Sequence, residues 1–266
     1  MTNKEFPLSL IICTYEWPAA LDLCLRAVLK QTVMPTEVIV ADDGSKAPTA
    51  ELIASYQAKF PVPLIHVWQE DEGFRLATIR NKAILKASTP YIVQIDGDII
   101  PNRHFIEDHI AVAEKGCFIR GTRSRLTKEK SEELFASKET DLHFYSPGVE
   151  NRFNAVRIPF LSFLAAKKKK SGNKVKGCNM AFWKEDLVRA NGYSNDLKGW
   201  GHEDEELSWR LINAGLLKKV VKLRAVIYHI HHNEASKSDE HKHHSMLDEV
   251  IEKKLTTTTN GLKELQ

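Results

Sequence analysis

The chain has 266 residues, enough for one large domain or two small ones with a sizeable buried core. Hydrophobic residues make up 42% and charged residues 27%, a globular balance that excludes wholesale disorder. Lys+Arg 38 against Asp+Glu 35 leaves a formal +3, far from the strongly basic domain of a dedicated nucleic-acid binder.

The first half alternates strands with helices. Leu8 to Cys13 is a short apolar run, the pattern of a strand covered on both faces. Pro18 opens a helix in which Leu21, Leu25, Val28 and Leu29 recur at helical spacing to about Gln31. Glu37–Ala41 reads as the second strand, Asp42 to Ser45 as a turn, and Thr49–Lys59 as the second helix. Pro63–Trp68, Ala77–Ala87 and Tyr91–Ile95 follow as strand, helix and strand, stopping at Asp96-Gly97-Asp98. This alternation predicts βαβ units and an α/β fold with a mostly parallel central sheet flanked by helices. Ligands of such sheets lie beyond the carboxyl ends of the strands. Thr14-Tyr15, Asp42-Asp43 and Asp96-Gly97-Asp98 all fall there.

From Thr122 to Lys176 the periodicity fades, and charges, prolines and the run Lys167–Lys170 predict a helical insertion with a mobile loop. Gly177–Trp183 reads as a strand and Glu203–Asn213 as a strong helix with Gly215 past its end. Val220–His231 is another apolar segment. A polar tail follows, with a short helix over Met246–Leu255 and with His241, His243 and His244 read as solvated. The four cysteines, Cys13, Cys24, Cys117 and Cys178, lack CxxC spacing and read as reduced thiols. No signal peptide or membrane span is evident, so a cytoplasmic location is expected. The tetralysine reads first as a solvated loop and alternatively as contact with an anionic membrane surface.

Three clusters carry chemistry. Asp96 and Asp98 concentrate charge on a tight turn, which reads either as a solvated Asp-Gly turn or as a site for hard cations such as Mn²⁺ or Mg²⁺, which bind carboxylate oxygens and are shared with phosphates. Gly199-Trp200-Gly201-His202 precedes four consecutive acids, Glu203 to Glu206. The acids suit a helix N-terminus, whereas a Trp between glycines offers a stacking platform for a sugar face. In Tyr228-His229-Ile230-His231-His232, strand alternation would set His229 and His231 on one face and His232 on the other. Two such imidazoles can complete a metal site begun by Asp98, whereas a lone histidine would read as a satisfied surface or core residue.

Leu10–Tyr15, Val38–Ser45, Gly73–Asn81, Asp96–Asp98 and Gly177–Phe182, in that order, resemble an inverting family 2 glycosyltransferase with the GT-A nucleotide-diphospho-sugar transferase fold. The Gly199–Asp204 segment also resembles β-1,4-galactosyltransferases and bacterial chondroitin-type polymerases; the galactosyltransferases carry Gly where this chain has His202. The resemblance implies a UDP-sugar donor and a glycan or lipid-linked acceptor. Thr14, Tyr15 and Asp43 would face the uridine, with Arg80 and Asn81 beside the nucleotide. Asp96 would approach the ribose, and Asp98 would hold the metal with His229 and either His231 or His232; His231 follows from strand alternation. Trp200 and Glu203 would bind the acceptor, and Asp204 would be the catalytic base. The expected organisation is one catalytic domain over 1–232: a nucleotide-sugar half (7–121), an insertion or lid (122–176) and an acceptor half (177–232), then the tail 233–266. A nucleotidyltransferase and a binding module without turnover are the alternatives.

Overall fold

Every residue of the strands β1 (Leu8–Thr14) and β2 (Glu37–Asp42) is buried, as the uninterrupted apolar runs require of strands covered on both faces. A helix α1 (Pro18–Leu29) lies between them, with Pro18 in its first turn, where a missing N–H is harmless. The chain continues through α2 (Ala47–Gln57), β3 (Leu64–Trp68), α3 (Leu76–Lys86) and β4 (Tyr91–Asp96). Strands β1 to β4 pair in parallel. The computed structural model describes residues 6–233 and 240–266.

After β4 come β5 (Ile99–Pro101), α4 (Phe105–Val112), β6 (Cys117–Arg120), β7 (Ser124–Leu126), α5 (Lys128–Ser137) and β8 (Val149–Glu150). Then follow α6 (Ser162–Ala165), β9 (Lys167–Lys169), β10 (Met180–Trp183), α7 (Lys184–Arg189), α8 (Glu203–Asn213), β11 (Leu217–Val220), β12 (Ile227–His229) and α9 (Glu240–Glu252). The large sheet runs β3-β2-β1-β4-β10-β6-β11-β9, with β10 and β9 antiparallel to their neighbours and the rest parallel. Alternation along β1 sends Leu10 and Ile12 to one face, against α1, and Ile11 and Cys13 to the other, against α3. A second sheet, β5-β12-β7-β8, stands over the carboxyl end of β4.

Segment 122–176 differs from the expected insertion. It supplies β7 and β8 to the small sheet and β9 to the edge of the large one, so it is built into both sheets. Its strands are too short for periodicity to register. The tail is likewise integrated: α9 begins before the expected helix and packs on α8, with Leu247, Val250 and Leu262 buried. Helix α8 opens with four acids at its positive end and closes at Gly215. There φ is +93°, and the N–H groups of Leu216 and Gly215 bond back to Leu211 and Ile212 at 3.0 and 2.9 Å, a Schellman closure. All four cysteines are free and buried. Among the described residues, no helix is long and apolar enough to cross a membrane.

Candidate active site

A cleft of about 940 Å³ opens at the carboxyl ends of β1 and β4, lined by Thr14, Asp43, Asp96, Asp98, Arg80 and the 200–205 segment. It is assembled by close backbone approaches. Gly97 N–H donates to Cys13 O at 2.6 Å, and a Cβ at Gly97 would sit 3.1 Å from both that oxygen and Thr14 Oγ1. A side chain here would press on β1 by a few tenths of an ångström, and the bare backbone lets the acidic turn lie this near without that strain.

The small sheet brings the histidines to that turn. β12 runs antiparallel to β5 with His229 opposite Ile99, and Ile230 N–H donates to Asp98 O at 3.0 Å. His229 Nε2 and His232 Nε2 consequently lie 3.3 and 3.1 Å from Asp98 Oδ2. Asp98, His229 and His232 each offer a ligand atom within 4.8 Å of one another. Among the described residues, Asp98 Oδ1 is buried without a hydrogen-bond partner, an oxygen whose desolvation an ion would compensate. A carboxylate with two imidazoles is a mixed O/N donor set, better matched to Mn²⁺ than to the oxygen-preferring Mg²⁺.

Burial pushes the Asp98 carboxyl up, but His232, His229 and Arg123 outweigh it and hold it below the ordinary carboxylate value. Burial pushes His229 down to about 4, leaving a neutral imidazole able to ligate. The Asp98 hydrogen bond raises His232, whose ring also stands edge-on to Trp17 at 5.7 Å.

The structure does not bring His231 to Asp98. β12 ends at His229, so strand alternation no longer applies two residues on; His231 N–H is held by Ser131 Oγ at 2.9 Å and its side chain is exposed. Asn81 is a second departure. It is fully buried, donating to Tyr193 O and Asn195 Oδ1 and accepting from Tyr193 N–H at 2.8–3.0 Å, and it does not line the cleft. Its expected substitution phenotype is structural: Asn81→Ala lowers stability by about 2–3 kcal/mol in urea denaturation while calorimetric UDP affinity stays unchanged. A specific loss of UDP affinity would return Asn81 to the nucleotide site.

Arg80 is also occupied by protein. Its buried guanidinium lies 3.4 Å from Asp96, 3.4 Å from Glu203 and 3.0 Å from Asp204, over the Tyr193 ring. It joins the two acid motifs, 96–98 and 203–204, across the cleft. Burial, with the Asp98 and Asp204 charges behind it, pushes Asp96 up against the pull of Arg80. Burial and Asp204 likewise push Glu203 up. The Asp204 oxygens accept separately from Arg80 Nη1 at 3.0 Å and Gly177 N–H at 2.6 Å. Each oxygen keeps a second lone pair.

On the β2 side, Asp42 turns inward to Ser45 N–H and His66. Asp43 reaches the cleft, held by Gln69 and by Arg75 N–H at 2.8 Å; burial raises its carboxyl. Thr14 is buried at the rim, and Tyr15 is half exposed with its hydroxyl donating to Asp71 at 3.1 Å.

Trp200 is 37% exposed and lines the cleft. Its loop is fixed by Gly199 N–H to Phe74 O at 2.9 Å and by His243, whose ring nitrogens lie 2.7 and 2.9 Å from the carbonyls of Gly201 and Lys198. His243 is thus buried and corrects the solvated reading; His244 is exposed beside Asp248, and the side chain of His241 lies outside the described residues. His202 holds φ +66°, a conformation glycine adopts freely, in keeping with the Gly of the resembling galactosyltransferases. Phe74, Arg123, Arg125 and Lys176 also line the cleft; nothing in their spacing marks them, although Phe74 lies in a quoted motif.

The Glycosyl transferase family 2 profile matches residues 9–170, and that described as the N-terminal domain of galactosyltransferase matches 157–233. Validoxylamine A glucosyltransferase of Streptomyces hygroscopicus subsp. limoneus is 28% identical over 79% of this chain and 48% of its own length. Chondroitin synthase of Escherichia coli is 28% identical over 84% of this chain and 34% of its own length. The chain therefore spans half or less of these curated relatives. Among solved structures, GalNAc-T7 with UDP, GalNAc and Mn²⁺ aligns over 92% of this chain and 48% of its own, with TM-score 0.68 at 15% identity. S. aureus TarS 1-349 with UDP aligns over 91% and 64%, with TM-score 0.60 at 16% identity. The fold is that of the GT-A glycosyltransferases. With more than half of its length matched by that profile, and with relatives named as transferases and synthases, the chain belongs to glycosyl transferase family 2.

Proposed function

We propose that the chain is a metal-dependent, inverting transferase that moves a hexose or N-acetylhexosamine from a UDP-sugar to a glycan or lipid-linked acceptor in surface polysaccharide synthesis. The observation that carries this reading is the convergence of Asp98, His229 and His232 with Glu203 and Asp204 on one cleft. UDP accompanies two of the structural neighbours and Mn²⁺ one of them, and the chondroitin synthase relative is named for a polysaccharide. Family membership sets aside the nucleotidyltransferase and the inactive binding module.

In this reading Thr14, Tyr15 and Asp43 receive the uridine and Asp96 the ribose. Asp98, His229 and His232 would hold Mn²⁺, which supplies charge neutralisation to the departing diphosphate. Trp200 stacks on the acceptor sugar, and Glu203 orients it. Asp204 accepts the proton of the acceptor hydroxyl as that oxygen bonds to the anomeric carbon from the face opposite the diphosphate. The carbon–phosphate-oxygen bond breaks as the new bond forms, so an α-linked donor gives a β-linked product. Arg80 keeps the Asp204 carboxylate oriented.

The test is a panel of nucleotide-sugars assayed for hydrolysis and transfer with Mn²⁺ and after chelation. Turnover restricted to UDP-sugars and abolished by chelation is expected. Equal turnover without metal, or preference for another nucleotide, overturns the donor and metal assignments.

A further inference from the structure

From Asn151 to Lys184 the chain carries no acidic residue, and its middle exposes apolar side chains outright. Phe160, Phe163 and Leu164 are 70%, 71% and 68% exposed. They recur at i, i+3 and i+4 through consecutive helical turns, the one from Pro159 to Leu161 and α6, which places them on one face. Phe153 is 92% exposed nearby in sequence. Exposed aromatics on one surface mark a contact.

Three residues after Leu164 the chain enters β9, all of it exposed. Lys168 is paired with Glu114 at 2.5 Å. Lys167, Lys169 and Lys170 have no ion-pair partner among the described residues. At no more than about 3.6 Å per residue, these ammonium-bearing positions begin within roughly 11 Å of Leu164 along the chain.

The same segment walls a second cavity of about 330 Å³, lined by Arg120, Arg123, Arg125, Lys176 and Lys222 with no acid. Asn151 and Asn154 line it. Just beyond, Ile158 N–H is bonded to Leu223 O and Arg224 Nε to Ser162 Oγ at 2.9 Å, tying the apolar face beside Lys222. Arg123, Arg125, Lys176 and Cys178 line both this cavity and the cleft. Burial, with the Arg123, Arg125 and Arg120 charges behind it, pushes Lys176 down. None of Thr14, Tyr15 and Asp43 reaches it. It lies on the β10-β6-β11 side of the sheet, away from the proposed uridine site at β1 and β2.

We propose that this face docks on an anionic lipid bilayer: Phe160, Phe163 and Leu164 enter the headgroup boundary, Lys167, Lys169 and Lys170 lie on lipid phosphates, and the basic cavity opens onto the headgroup phosphate of a lipid-linked acceptor. Aromatic and leucine side chains beside lysines are the composition that binds anionic interfaces. Only the role of the cavity rests on the transferase reading, because docking requires no nucleotide.

The test is sedimentation of the full chain with vesicles of phosphatidylcholine alone or mixed with phosphatidylglycerol, without UDP. Binding to the mixed vesicles is expected, weakened about a hundredfold by K167Q/K169Q/K170Q and about tenfold or more by F160S/F163S. Circular dichroism and UDP binding by these variants check that each is folded. Equal binding to neutral and anionic vesicles, or variants that bind like the parent, overturns the proposal. So does displacement by inorganic phosphate beyond that by chloride of equal ionic strength, which would assign the cavity to a free anion, or self-association that excludes vesicles. A chain that binds vesicles but turns over no UDP-sugar would refute the donor assignment and leave docking standing.

Discussion

Asp204→Asn is expected to reduce glycosyl transfer by about 10²–10⁴-fold, the range of a positioned general base, with UDP affinity unchanged. The substitution removes the anion that receives the hydroxyl proton and keeps the side chain's shape. It is not structurally silent. Both oxygens of Asp204 face donors, Arg80 Nη1 and Gly177 N–H, whereas an amide offers one acceptor and two N–H groups. One donor is therefore left facing another donor, and Arg80 keeps only Asp96 and Glu203 as counter-charges, each at 3.4 Å. A loss of about 1–3 kcal/mol of stability should accompany the kinetic loss. Arg80 thereby makes the prediction separable. A variant inactive merely through disorder would lose UDP binding as well, whereas one lacking only its base retains UDP and stalls at transfer. Retained turnover in Asp204→Asn would remove Asp204 as the base and pass the role to Glu203, the adjacent carboxylate that also faces Arg80.

Strands β1, β2 and β4 were legible because they are apolar and buried on both faces, so Leu8–Thr14 and Tyr91–Asp96 declare themselves locally. The acid clusters at their ends were legible for the same reason: groups just beyond a buried strand lie at the ligand edge, as Asp43, Asp96 and Asp98 do, while Asp42 turns inward. What the sequence could not carry was decided by contacts far along the chain. His231 and His232 differ by where β12 stops, which the β5–β12 pairing sets. His243 lies some forty positions beyond Gly201, and no local pattern ties a tail histidine to a loop carbonyl. Arg80 and Asn81 sit side by side on α3, yet Arg80 reaches the cleft and Asn81 the core. The quoted motif could not separate them because helix orientation, set by packing on β1 and β2, decides which residue faces which way.

The metal site gives the sharpest discrimination between those two levels of reading. His232→Ala is expected to weaken Mn²⁺-dependent UDP binding by about a hundredfold, at least the cost of losing an outer-sphere contact to a metal ligand, and His229→Ala should match it. Each removes one of three donors that already lie within 4.8 Å of one another. His231→Ala should leave the Mn²⁺-dependent component intact, since its backbone rather than its ring is engaged, at Ser131 Oγ. Calorimetric UDP titrations with Mn²⁺ and with chelator separate the metal-dependent component from the contacts of the uridine itself. In the absence of metal the three variants should bind UDP alike. If His231→Ala fell with its neighbours, the backbone beyond β12 would have to turn in the loaded protein and release His231 N–H from Ser131 Oγ, because the Ile230 N–H bond to Asp98 O holds the chain only up to the residue before it.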